Sequence, residues 1–213
     1  MKVLLHACAL ALCAAHIAPV SAKEGDWVVR LRATSVSPDE SSKLVGAIGD
    51  RLAVDANTIP EIDVSYYLTD NIAAELILAI GTRHDVTLKG SAVPGLNPGG
   101  NVDLGSVNLL PPTLLLQWHF NPDQRFDPYI GAGLNYTRFM DNSLLGGAIH
   151  VDRNSVGPAL QVGMDYNLDN GWLLNIDVKR LWIDTDVRLN GVGRIDRLDI
   201  DPWLFSVGVG RRF

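Results

Sequence analysis

Beyond residue 22 the chain has no cysteine; Cys8 and Cys13 both fall in an N-terminal stretch that reads as a secretory signal. An exported chain without cysteine has no disulfide to staple it, so its stability must come from elsewhere. Long hydrophobic runs are missing too. No stretch of about 18 apolar residues follows the N-terminus, which excludes helical membrane spans. Basic charge is scarce: 18 Lys and Arg stand against 24 Asp and Glu, a formal charge of −6. That balance argues against nucleic acid as a partner, because a phosphate-binding face needs clustered cations. What is present is apolar content, 47% of 213 residues, enough for a core or a membrane surface and too much for a disordered chain.

The signal itself has the usual three parts. Lys2 gives a positive start, Val3 to Ile17 is almost wholly apolar, and Pro19 precedes the small-residue stretch Val20-Ser21-Ala22. Residues 1–22 are therefore expected to be cleaved, leaving 23–213 as one domain.

Alternation rather than a helical stripe dominates after Lys23. Val28, Arg30, Arg32 and Thr34 alternate with Trp27, Val29, Leu31 and Ala33; Asp63 and Ser65 alternate with Ile62, Val64 and Tyr66. The same pattern recurs around Leu76, Leu116, Ala132, Val162, Ile176 and Val207, giving eight expected strands with one apolar and one polar or small face. The connections alternate in length. Thr69-Asp70-Asn71, Asn121-Pro122-Asp123-Gln124 and Asp169-Asn170-Gly171 are short and rich in turn residues. The segments near 39–58, 84–106, 142–154 and 188–199 are long and carry Gly, Pro, Asn and charge.

An even strand number with short turns at one end and long loops at the other describes an all-β, eight-stranded antiparallel transmembrane barrel of a Gram-negative outer membrane. Trp27, Tyr67, Trp118, Phe120, Phe126, Tyr166, Trp172 and Phe213 fall near the expected periplasmic strand ends, and Tyr136, Phe139, Trp182 and Trp203 near the extracellular ones, as two girdles. The competing architecture is a soluble ligand barrel of the lipocalin kind, whose apolar face points inward. The girdles, the terminal Phe and the charges on the opposing face favour apolar outward and polar inward.

Several later segments carry a family likeness. They are Leu110-Pro-Pro-Thr-Leu114 with Gln117-Trp118, Pro128-Tyr-Ile-Gly-Ala-Gly133 with Asn135-Tyr136, and Gln161-Val-Gly-Met-Asp-Tyr166. Trp172-Leu-Leu-Asn175, Asp184-Thr-Asp186 and Asp201-Pro-Trp203 follow in order. Together they resemble the OmpW/AlkL family of small outer-membrane barrels over nearly the whole mature chain. The resemblance implies uptake of small hydrophobic molecules with lateral release into the membrane. One position departs from that family: Arg211 stands where an aromatic usually precedes the final Phe by two residues. Phe213 is the residue expected to address the barrel-insertion machinery.

The inward positions divide by height. Low in the barrel they are Arg30, Arg32, Asp63, Glu75, Gln117, Gln161, Asp165, Asn175, Asp177 and Lys179, expected to pair into a polar floor. Higher up they become Val36, Ile77, Ala79, Phe139, Leu181, Ile183 and Leu204, an expected apolar funnel, with Glu61 as the exception. An eight-stranded barrel is only wide enough for side chains to fill, so an open aqueous pore is not expected. A hydrophobic solute in the funnel would meet a polar barrier below and leave more easily sideways. Pro111 and Pro112 are the expected side exit, because proline has no N–H to give a strand ladder. The competing expectation is a structural anchor or surface receptor with a filled lumen and no transport.

Catalysis and cofactors are not expected. His84, His119 and His150 are the histidines of the mature chain, His84 and His150 expected at solvated loop mouths and His119 in the polar floor, and no nucleophile motif accompanies them. Asp184, Asp186, Asp196, Asp199 and Asp201 cluster near the expected rim, but their spacing fits no EF-hand, so a hydrated rim touching lipopolysaccharide is expected rather than a metal site. The expected partners are outer-membrane lipid, lipopolysaccharide, small hydrophobic solutes and the insertion machinery.

Overall fold

In the computed structural model, residues 22–39, 51–79, 82–89, 101–140 and 143–213 are described. The signal reading of residues 1–21 lies outside them. Eight strands form the wall: β1 (Trp27–Ser37), β2 (Asn57–Tyr67), β3 (Ile72–Ala79), β4 (Thr113–His119), β5 (Phe126–Phe139), β6 (Asn154–Asn167), β7 (Trp172–Leu181) and β8 (Trp203–Arg212). Each pairs antiparallel with its chain neighbours, and β8 returns to β1 with Val28 opposite Arg212 and Ser37 opposite Trp203, so the wall closes. Closure gives each of the eight strands a partner on both sides, which is why a barrel can cross a membrane with strands.

The three short turns are where the turn residues lie. Thr69 Oγ1 accepts from the backbone N–H of Ile72 at 3.0 Å, and Asn170 adopts φ 61° ahead of Gly171. The segments between the other strand ends are longer than loops. Arg51–Val54, Thr82–Lys89 and Val102–Leu110 extend the wall upward as a hydrogen-bonded sheet. Ser143–Leu144, Ile149–Val151, Asp184–Leu189 and Gly193–Asp199 form a second, four-stranded sheet. Among the described residues, the expected extracellular loops are thus largely β-structure. The β-bulge between Val86 and Thr87, beside Gly105 at φ 108°, shifts the register and breaks the alternation that a sequence scan relies on.

Burial settles which way the faces point. Leu31 is 59% exposed and Leu134 61%, whereas Arg30, Asp63, Glu75 and Asp165 are all at 0%. A soluble ligand barrel would show the reverse. Leucine, isoleucine and valine cover the outside and charges fill the inside, the arrangement of a membrane barrel.

Filling the inside requires that large side chains face small ones. Arg30 lies opposite Gly210 and Arg32 opposite Gly208 across β1 and β8; Tyr129 lies opposite Gly163 and Gln161 opposite Gly131 across β5 and β6. A Cβ at Gly163 would come within 2.3 Å of the Tyr129 ring, and one at Gly210 within 2.8 Å of Arg30 Cγ. These glycines are shape partners for their neighbours. Gly163→Ala should therefore destabilise the folded barrel by about 1–3 kcal/mol in urea unfolding in lipid, through overpacking against Tyr129. Gly163→Ala combined with Tyr129→Ala should remove that steric component, so a double-variant cycle that shows no coupling would contradict this packing.

Candidate functional site: a polar floor beneath an apolar chamber

The floor is built around two arginines of β1. Arg30 donates to Asp165 through Nε at 3.2 Å and Nη2 at 2.6 Å, and through Nη1 to Asp63 at 2.9 Å and Ser65 at 2.8 Å. Two residues on, the same face presents Arg32, which bonds Asn175 at 2.7 Å, Glu61 at 3.1 Å and Glu75 at 3.1 Å. Lys179 on β7 closes the upper side, with Nζ 2.6 Å from Asp177 and 2.8 Å from Glu61. These groups are buried, so each ion's loss of water is offset only by such multiple short contacts.

Tyr129 and His119 complete the layer. The Tyr129 hydroxyl donates to Asp177 at 3.1 Å and accepts from Arg32 at 3.2 Å and Asn175 at 3.0 Å. His119 Nδ1 lies 2.7 Å from Asp127, and both are buried. His119, Asp127 and Asp165 also place three donor atoms within 4.8 Å of one another, within reach of a metal. Their atoms already have protein partners: Arg30 and Asn175 hold Asp165, the Asn121 N–H reaches Asp127, and Asp127 holds His119. Sequence reasoning missed Tyr129. Its signal was present, since it shares strand parity with inward Gly131, Asn135 and Thr137.

Above Lys179 and Glu61 the lining turns apolar. Ile77, Leu181, Ile183 and Leu204, with Val36, Ile59 and Ala79, surround a narrow chamber with a cavity volume of about 50 Å³. Phe139, expected in the same funnel, sits higher. It lines a second, nearly filled space of about 20 Å³ with Val86, Val107, Leu144, Val187 and Leu198 from the extracellular hairpins. The funnel is accordingly a chamber roofed by these hairpins, because their apolar faces pack as one continuous core with the upper barrel. Val54, Leu109 and Ile200 border both spaces. Tyr67 and Phe139 are buried, so they belong to the lumen rather than to the aromatic girdles.

Pro111 borders the chamber at a break in the wall. The β3–β4 ladder ends with Ile77 opposite Thr113 and resumes only with Thr82 opposite Leu109. On its other side the same segment stays stitched to β5: the Pro112 carbonyl accepts from the Tyr136 N–H at 2.9 Å. The asymmetry follows from proline chemistry, since a proline carbonyl can still accept while its nitrogen has nothing to donate. Buried Asn135 holds the break in shape, with Nδ2 2.9 Å from Thr113 Oγ1 and 3.3 Å from the Pro111 carbonyl. Continuing the register of Ile77 with Thr113 would set Leu78 and Ala79 opposite Pro112 and Pro111, where no ladder pair forms; residues 80–81 lie outside the described residues.

Comparison with known proteins now has a geometry to rest on. Residues 23–213 match the family described as the OmpW family. The chain belongs to the OmpW family. It is 35% identical to outer membrane protein W of Vibrio cholerae over 97% of this chain and 98% of that protein. It is 31% identical to the dibenzothiophene metabolism operon protein PahQ of Pseudomonas aeruginosa, over 92% of each. Among solved structures, OprG of Pseudomonas aeruginosa superposes with a TM-score of 0.79 at 33% identity, covering 91% of this chain and 98% of OprG. AlkL in lipid bilayers gives 0.65 at 26% identity, covering 90% and 91%. Like these OmpW-family relatives, the protein is an outer-membrane β-barrel.

The remaining candidates lie elsewhere. Asp184 and Asp199 pair with Arg197, and Asp186 with Arg194 and Arg188, all on the second sheet. Asp201 accepts from the Ile183 N–H at 3.0 Å. Arg211 points outward, its guanidinium 5.6 Å from the Trp172 ring centre and 5.3 Å from that of Phe213.

Removing one arginine from the floor strands several buried carboxylates at once. Arg32→Met should lower barrel stability by about 3–5 kcal/mol in urea unfolding. Adding Glu75→Gln should restore part of the loss, and a double variant no more stable than the single one would show that the pair is not coupled.

Proposed function

We propose that the protein is a passive channel for small hydrophobic molecules, which reach the chamber past the apolar extracellular hairpins and leave sideways through the seam between β3 and β4. The observation that carries this reading is the position of the seam. Toward β3 the ladder lacks pairs between Thr113 and Leu109, and Pro111, within that gap, lines the apolar chamber above a floor packed with ion pairs.

Energetics direct the route. An apolar solute moving down would have to displace charged groups that satisfy one another, with no hydrogen bonds of its own to offer. Moving sideways, it passes from an apolar lining into hydrocarbon with little change of environment. Ile77, Leu181, Ile183 and Leu204 are its chamber wall, Phe139 stands above on the way in, and Arg30, Arg32, Asp63, Glu75, Asp165, Asp177 and Lys179 are the barrier. The name of PahQ, which places that relative in a dibenzothiophene metabolism operon, supports an oily aromatic cargo for this chain as well. Lipid and lipopolysaccharide would contact the outer face, and Phe213 with the rings beside Arg211 would serve the insertion machinery.

The test restores the ladder. Replacing Pro111 with Thr and Pro112 with Val gives both positions an N–H, and uptake of a hydrophobic solute into vesicles or cells should slow several-fold while the barrel still assembles. Unchanged uptake would discard the lateral route. No uptake by the wild-type protein would leave an anchor or receptor barrel as the function.

A further inference from the structure

The hydrogen-bond donors on side chains around the chamber are already engaged by protein. Lys179 Nζ reaches Asp177 and Glu61, and lies 3.4 Å from Ser206 Oγ. Thr113 Oγ1 donates to the Pro111 carbonyl at 3.2 Å, and Thr137 Oγ1 to Asn135 Oδ1 at 2.7 Å. Three of the lining residues are prolines, 38, 111 and 202, which have no N–H at all.

What remains unengaged is acceptors. His84 was expected at a solvated loop mouth, yet it is buried and lines the chamber. Its Nδ1 lies 3.0 Å from the Asp55 carbonyl. A carbonyl only accepts, so in the neutral ring Nδ1 carries the proton and Nε2 keeps a lone pair. Nε2 takes no hydrogen bond from the described residues. Glu61 likewise uses Oε1 for both Arg32 and Lys179, leaving Oε2 without a partner among them.

We propose that the chamber is an acceptor site for neutral hydrophobic molecules that carry one hydroxyl, with the Nε2 of His84 receiving that hydroxyl's proton in a hydrogen bond. The inference rests on the chamber being a solute site and adds the substrate class. A wholly apolar solute would leave both acceptors unsatisfied, whereas a phenol or alcohol satisfies one of them while its body fills the apolar wall. A carboxylate is disfavoured. It would face Glu61 above a floor where five carboxylates (Glu61, Asp63, Glu75, Asp165, Asp177) meet three cations (Arg30, Arg32, Lys179).

The experiment compares naphthalene, 2-naphthol and 2-naphthoate, which share a body and differ in one group. Binding of each to the full mature chain in lipid nanodiscs is measured by fluorescence, relative to protein-free nanodiscs. Wild type should favour 2-naphthol over naphthalene by about 5-fold beyond their lipid partitioning, the yield of one neutral hydrogen bond, and should bind 2-naphthoate least. His84→Phe should bring 2-naphthol down to that variant's own naphthalene level, abolishing the preference. His84→Gln, which keeps an acceptor oxygen near Nε2, should retain most of the preference. The heat-dependent gel shift of a folded barrel confirms that each variant is assembled. Preference for 2-naphthol surviving in His84→Phe, or naphthoate binding as well as naphthol, would overturn the assignment. Naphthalene binding without any preference in the wild type defeats this inference alone. If no probe binds, the chamber is not a solute site and the channel reading falls with it.

Discussion

The interior of this barrel depends on the mutual satisfaction of charges that have been removed from water. Arg30 and Arg32, two residues apart on one strand, between them reach carboxylates on β2, β3 and β6. Because those contacts converge from several strands, the ions act as a belt that ties the wall together at mid-height. A belt of this kind also defines what the rest of the lumen can be. With the charges gathered in this layer, the space above it is free to be apolar.

The upper half follows from that separation. Hairpins that rise from the wall bring Val86, Val107, Leu144, Val187 and Leu198 into one core with Ile59, Ile77 and Leu204. The result is an apolar compartment that Pro111 borders on one side. The seam is one-sided because Pro112 still accepts from β5 while the ladder toward β3 is interrupted. Asn135 makes this tolerable for a buried backbone by bonding the proline carbonyls.

Much of this was legible in the sequence, and for a definite reason. A period of two fixes which side chains share a face, so Arg30, Arg32, Asp63, Glu75, Asp165, Asp177 and Lys179 could be put inside together without knowing strand order. Their partners could not be read, because pairing across the lumen depends on barrel stagger. The roof was missed where bulges at Val86/Thr87 and Val187/Arg188 shift the register and turn alternation into apparent irregularity. His84 was misplaced with that segment. Tyr129 was overlooked because an aromatic residue near a strand end resembles a girdle residue, and only its parity marks it as internal.

The facing of Arg30 with Gly210, Arg32 with Gly208 and Tyr129 with Gly163 has an evolutionary corollary. Each couple is sterically linked: a descendant that enlarges the glycine member is expected to shrink its companion or lose stability. Drift at these sites is therefore expected to proceed by paired exchange, so they should be among the slowest positions of the wall to diverge.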